Sequence, residues 1–337
     1  LLLLASIGPV LVAPAGAQAP RRVRNDEDKG DTIPRMEIYG FGQGDAIVDA
    51  RRNDPFWFDV NRPTKLPSFG SEFNANDNFW FSARQSRFGV KSTLPTAGLG
   101  DVHAQFEFDL FGVGVDAGQT TIRLRYAWGQ WGKVGGGQLT SPFMDLDIFP
   151  NILDYWGPNG MLFFRNVQVF WEPINKGETN FRIALERPGA SGDQGIAADR
   201  IQLSNTSIRP RFPWPDLSAG YRLGTSWGYV KLAGILRDIH WEQIPTDTLD
   251  LSGHATGWGG SLSSNIKFRK GLDILRLQVV YGEGIENYFN DAPVDVGAER
   301  DFTNRRTPFA GEALPIFGAV TYLDHTWNEH FTSSIGW

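Results

Sequence analysis

From about Met36 onward, apolar and polar residues alternate along the chain with a period of two. Val102, Ala104, Phe106, Phe108 and Leu110 fall on one side of a segment, and Asp101, His103, Gln105, Glu107 and Asp109 on the other. The next segment sets Ile122, Leu124, Tyr126 and Trp128 against Arg123, Arg125, Ala127 and Gly129. The alternation recurs at 181–186, 258–268 and 275–281. Side chains of a strand point alternately to its two faces, so these segments predict strands with one apolar and one polar face.

A soluble β-sandwich and a membrane β-barrel share this pattern. Three features favour the barrel. The segments reach the ~9–11 residues that a tilted strand needs to cross hydrocarbon. Their polar faces carry full charges, Arg123 with Arg125 and Glu107 with Asp109, which suits an aqueous lumen. Tyr126, Trp128, Trp131, Phe163, Phe164, Trp227 and Tyr229 gather near segment ends, as interfacial girdles do. The linkers also alternate. Gly132-Lys133 and Lys270-Gly271 predict tight turns, whereas 53–78 and 284–314 predict long polar loops outside. The expected fold is all-β, a transmembrane antiparallel barrel with about twelve or thirteen visible strands.

The first twelve residues are mainly apolar, and Ala17-Gln18-Ala19 supplies a small-x-small cleavage box. Residues 1–19 are therefore expected to be a signal peptide, clipped at its start, and the charged stretch 20–34 a short periplasmic tail. The barrel is expected over 35–337.

Composition narrows the function. Among 337 residues, 24 Phe, 12 Trp and 8 Tyr make up the 13% aromatic share, yet after the first twenty positions no apolar run reaches the length of a spanning helix. The net charge of −6 disfavours nucleic-acid binding. The absence of cysteine removes disulfides, thiolate nucleophiles and Cys-based metal sites. Five scattered histidines form no zinc spacing, and Asp145-Leu146-Asp147 lacks the Gly and Glu of a calcium loop. Gly224-Thr225-Ser226-Trp227-Gly228 fits the pattern of a serine nucleophile elbow, but its strand-like flanks predict a hairpin turn. Gly40, Gly42 and Gly44 precede neither a helix nor a Lys-Ser/Thr pair, so they predict no phosphate loop. No cofactor, metal or catalytic residue is expected.

The segment 135–160 is apolar, aromatic and acidic, with Pro142, Pro150 and Pro158 opposing a regular strand. Phe143, Met144, Ile148, Phe149 and Trp156 are too apolar for an exposed loop. The expectation is a loop folded into the barrel as a constriction; the alternative is an outer loop packed on a neighbouring subunit.

Several of these segments together resemble the DcaP-like porins of Gram-negative outer membranes. The resemblance is carried by Ala83-Arg-Gln-Ser-Arg-Phe-Gly-Val-Lys91, Gln105-Phe-Glu-Phe-Asp-Leu-Phe-Gly112, Arg123-Leu-Arg125, Phe143-Met-Asp-Leu-Asp147 with Phe149-Pro150, and Arg165-Asn-Val-Gln-Val169. It implies a sixteen-stranded barrel, a homotrimer, and passive uptake of small anions, notably dicarboxylates. On that template, further strands are expected beyond Trp337. The coiled-coil stem of some members is not expected, because 20–34 has no apolar heptad.

The candidate site is a charged constriction. Arg87, Lys91, Arg123 and Arg125 are expected on the lumen wall, facing Asp145, Asp147 and Asp154 of the loop. Opposed charges across a narrow gap set up a transverse field, and two guanidinium forks favour a dianion over a monoanion. A second reading has the arginines pairing with the loop acids to hold the loop. The expected partners are small anionic solutes, the lipopolysaccharide-bearing bilayer and other copies of the chain. Rival functions are a weakly selective diffusion porin, an outer-membrane hydrolase, and a structural or adhesive barrel with a plugged lumen.

Overall fold

A computed structural model describes residues 2–6, 33–73, 75–96, 98, 100–154, 156–193, 208–244, 251–300, 303 and 309–337. The cleavage box and most of the expected tail lie outside the described residues.

The chain begins with β1 (Leu2–Ser6), β2 (Arg35–Phe41), β3 (Asp45–Asp49), β4 (Asn78–Ser82), β5 (Arg87–Leu94) and β6 (Val102–Phe111). It continues through β7 (Thr120–Trp131), β8 (Val134–Thr140), β9 (Arg165–Lys176), β10 (Thr179–Glu186), β11 (Ile208–Arg211) and β12 (Asp216–Thr225). Then come β13 (Gly228–Gln243), β14 (Gly253–Phe268), β15 (Asp273–Glu283), β16 (Val296–Arg300), β17 (Phe309–Ala313), β18 (Pro315–Thr326) and β19 (Thr332–Gly336). Fourteen strands form one antiparallel sheet from β2 at one edge to β19 at the other, with β11 and β12 side by side along β13. Among the described residues those two edges do not pair with each other.

The sheet is apolar outside and polar inside. Phe106, Val169, Leu232, Leu262 and Val279 project outward and are exposed, while Glu107, Gln168, Glu172, Ser263 and Gln278 are buried on the inner face. A sandwich would bury its apolar face between two sheets. A single sheet with its apolar face outward is the wall of a membrane barrel, where hydrocarbon replaces the second layer.

One rim carries short connections, including Gly132-Lys133 between β7 and β8 and Ser226-Trp227 between β12 and β13. The elbow-like motif is thus a hairpin turn. The opposite rim is where the chain passes from β3 to β4, from β8 to β9, from β10 to β11, from β13 to β14 and from β15 to β18. There β3 and β4 extend the hairpin of β2 and β5 past an irregularity at 42–44, where the Gln43 N–H donates to Ser86 Oγ at 3.0 Å.

Three expectations are corrected here. First, Tyr126 and Trp128 do not face lipid. Phe108 pairs with Leu124 but Glu107 pairs with Tyr126, so Arg125 is the extra residue of a β-bulge. One extra residue reverses the alternation beyond it, and both rings turn into the lumen. Second, Tyr229, Phe163 and Phe164 pack inside rather than in a girdle, whereas Trp131 and Trp227 are exposed. Third, the glycine-rich start of the 135–160 segment is strand: Val134–Thr140 pairs with both β7 and β9. A Cβ on Gly135 would come within 2.4 Å of the Phe170 ring, so glycine here makes room for a buried aromatic.

Candidate functional site

Residues 141–164 leave the end of β8 and fold into the barrel. Phe143 and Leu162 join Ala233, Ile235 and Val280 of β13 and β15 in one buried apolar cluster. Ile148, Phe149 and Met161 pack on Val320 of β18 in another. This burial offsets the cost of ordering a long irregular segment. The wall is shaped to receive it: a Cβ on Gly220 would lie 2.5 Å from the Pro142 carbonyl oxygen. The loop therefore lies against one side of the interior and leaves space toward β5, β6, β10 and β12.

The three loop acids have separate tasks. Asp145 is buried and accepts hydrogen bonds from Tyr229 Oη at 2.9 Å and Ser263 Oγ at 2.5 Å. Its other oxygen accepts from the Asp147 N–H at 3.2 Å, capping the 3-10 turn Leu146–Ile148. Asp147 reaches the lumen and pairs with Arg222 Nη1, while its carbonyl accepts from Asn265 Nδ2 at 2.7 Å. Asp154 is not among the residues that line the two lumen cavities described below. It accepts from the Trp156 N–H at 3.0 Å, and burial pushes its carboxyl up to about 6 despite N–H donors at Trp156, Asn61 and Gly157.

The four expected cations lie on the inner face of neighbouring strands, but their partners are not the loop acids. Arg123 makes a two-pronged contact with Asp109 at 2.9 and 2.6 Å. Arg125 bridges Glu107 at 2.6 Å and Asp109 at 2.9 Å. Arg87 stands 3.6 Å from Glu107. Lys91 is further toward the short-turn rim, 4.9 Å above the Tyr39 ring, whose hydroxyl donates to Glu107 at 2.7 Å. The carboxylates that pair with these arginines come from β6, one strand away.

In each of these pairs the cation is the outer partner. The side chain of Arg123 is 21% exposed against 0% for Asp109, and Arg87 is 13% exposed against 4% for Glu107. Arg182 of β10, paired with Glu172 at 3.2 Å, repeats the order at 21% against 4%. Across the gap the order reverses, because both Asp147 and Glu178 are more exposed than Arg222, which they pair with.

Two cavities meet at that last pair. One, of about 220 Å³, is lined by Arg87, Arg125, Arg182 and Lys231 with Glu107 and Asp145. The other, of about 430 Å³, lies toward the short-turn rim beside Glu178, Lys267 and Arg276. Arg222 and Asp147 line both. Arg222 is fixed on three sides, 3.5 Å over the Tyr229 ring, paired with Asp147, and 2.5 Å from Glu178. Sequence reading did not single out Arg182, Arg222 or Lys231 as site residues. Their signal was available, since each stands at an inward position of its strand.

At the long-loop mouth three segments are clasped together. The Arg62 guanidinium lies 4.2 Å from the Trp57 ring and 4.4 Å from that of Trp156, and donates to Asp291 at 2.9 and 2.7 Å. Trp156 Nε1 donates to the Asn290 carbonyl at 2.7 Å. Among the described residues no group of three or more His, Cys, Asp or Glu side chains gathers to hold a metal ion.

A sheet that is apolar outside, charged inside and narrowed by an inserted loop is a porin-type channel of the outer membrane. The chain belongs to the DcaP outer membrane protein family, whose model matches residues 35–268. Among solved structures it is similar to the outer membrane channel DcaP of Acinetobacter baumannii, with a TM-score of 0.69 at 18% identity, over 91% of this chain and 79% of that one. At that identity the likeness is one of fold. It is similar at lower scores to an anion-selective porin from Comamonas acidovorans (TM-score 0.38, 10% identity, 88% of this chain and 86% of that one). For OmpT of Vibrio cholerae the values are 0.43 and 13%, over 89% and 84%. No curated protein matches the chain. Family and fold point to a channel rather than an enzyme.

Proposed function

We propose that the protein is a passive channel for small anions, with dicarboxylates favoured over monocarboxylates. The observation that carries this is the order of exposure in the wall pairs: guanidinium toward the lumen, carboxylate behind it. Permeating ions respond to the nearest fixed charge, so a barrel of net charge −6 can still present a cationic path. Arg87, Lys91, Arg123 and Arg125 form that wall with Arg182, and Asp147 faces them from the loop; Asp145 and Asp154 fasten the loop. A dianion can engage two forks at once, which a monoanion cannot.

The assembly we propose is a homotrimer in the outer membrane. Support comes from Phe79 and Phe81, exposed on the β3–β4 arm where an isolated barrel gains nothing from them. Residues 1–19 serve as the export signal and 20–34 as a periplasmic tail, ahead of the barrel domain at 35–337.

Swelling of liposomes that carry the protein tests the solute class. Succinate-sized dicarboxylates should enter faster than monocarboxylates, sugars and amino-acid cations of similar size. Rates that follow size alone would establish a general diffusion porin instead.

A further inference from the structure

The outer face of the barrel carries a basic cluster that the pore does not use. On β13 the outward positions run Leu232, Leu236, Asp238, His240 and Glu242, so the apolar belt ends after Leu236. The neighbours end at the same height: Leu185 on β10, Leu217 on β12 and Trp258 on β14 are outward, exposed and in register with this level. Immediately above it stand Arg187, then Arg211 opposite His240, then Arg209 opposite Glu242. His254 stacks on His240 with ring centroids 5.1 Å apart. The exposed Phe212 and Trp214 flank the cluster, as rings do at a headgroup boundary.

Three guanidinium groups there stand against two carboxylates, Asp238 and Glu242, which leaves an excess of positive charge. Asp238 is engaged by His240 Nε2 at 2.8 Å. Among the described residues Arg187, Arg209 and Arg211 make no ion pair, and all three are exposed. Arg209 and Arg211 are two apart on one strand face, ~6–7 Å in separation, and Glu242 opposite Arg209 offsets only one of the two charges. The long loops place this level on the outer side of the membrane. Hydrocarbon begins one residue below it, so an ion held here is met at the depth of lipid headgroups.

We propose that Arg187, Arg209 and Arg211 hold the phosphate groups of a phosphorylated lipid of the outer leaflet. The acyl chains would then lie along Leu185, Leu217 and Leu236 beneath. Guanidinium forks match phosphate oxygens in geometry, and the charge contrast with the apolar belt selects an amphiphile over a soluble ion. The site is separate from the lumen, so it stands or falls independently of anion permeation.

The test uses the full-length protein in detergent, titrated with bisphosphorylated lipid A and with the same lipid after phosphate removal, read by native mass spectrometry. The phosphorylated form should bind at least about tenfold more tightly. The triple variant Arg187→Ser, Arg209→Ser, Arg211→Ser should lose that difference while keeping wild-type single-channel conductance, and the corresponding lysine triple should keep most of it. Equal binding of both lipids, or an unchanged preference in the serine triple, would overturn the proposal. Displacement of the lipid by millimolar inorganic phosphate would also overturn it, by showing a simple ion site.

Discussion

Arg222 of the barrel wall and Asp147 of the inserted loop, 75 residues apart in the chain, meet between the two lumen cavities. The contact belongs to the wall and the loop at once. Removing it both opens the partition and frees one anchor of the loop. Arg222→Gln should raise single-channel conductance and add open-channel noise, while Tyr229 and Ser263 still hold Asp145. A recording indistinguishable from wild type would show that ions pass elsewhere.

The clasp at the mouth is a second anchor. Arg62→Ala removes a charge-assisted contact and two cation–π contacts, a loss of about 2–4 kcal/mol for loop closure. The expected result is faster protease cleavage within 50–77 at an unchanged rate of passage through the partition. Wild-type cleavage kinetics would place the restraint in the Asp59–Arg84 pair instead.

The bulge at Arg125 gives an expectation that alternation alone would invert. Because the protein has no cysteine, single cysteines report their surroundings cleanly. Tyr126→Cys and Trp128→Cys should react with a charged, membrane-impermeant thiol reagent. Leu124→Cys and Ala127→Cys should not. Reaction at Ala127→Cys but at neither Tyr126→Cys nor Trp128→Cys would mean that β7 pairs with β6 without the extra residue.

Much of the barrel was legible in the chain because an apolar outer face and a charged inner face leave a period-two trace. The turns at Gly132-Lys133 and Lys270-Gly271 and the inward fold of the proline-rich loop were legible for similar local reasons. The side of Tyr126 was not. A bulge depends on how two strands pair, and a single strand's sequence does not encode its partner's register. Nor were the partners of Arg123 and Arg125 recognised, although Glu107 and Asp109 stand at inward positions of the adjacent strand. The loop acids drew the reading instead, being conspicuous in an apolar segment. Arg222 was legible only as one inward cation among several; its meeting with Asp147 follows from how deeply the loop inserts.

Two loop carboxyls couple closure to pH. Burial raises Asp154 to about 6 and Glu286, in the turn after β15, to about 7. Both values exceed those of the unfolded chain, so between about pH 4 and pH 7 the folded form holds more protons. Their contribution is therefore greatest in acid, declines as pH rises through that window, and is flat above it. Thermal unfolding in detergent should show this decline, and Asp154→Asn with Glu286→Gln should flatten it. A decline of the same size in the double variant would assign it to other groups.

The sign of the lumen charge is measured most directly by the zero-current potential of a planar bilayer holding the wild-type channel in a tenfold KCl gradient. The wall pairs lead to a potential on the chloride side of zero, moving toward potassium when Arg123 and Arg182 are both changed to Glu. A wild-type potential on the potassium side would contradict a cationic path through this barrel.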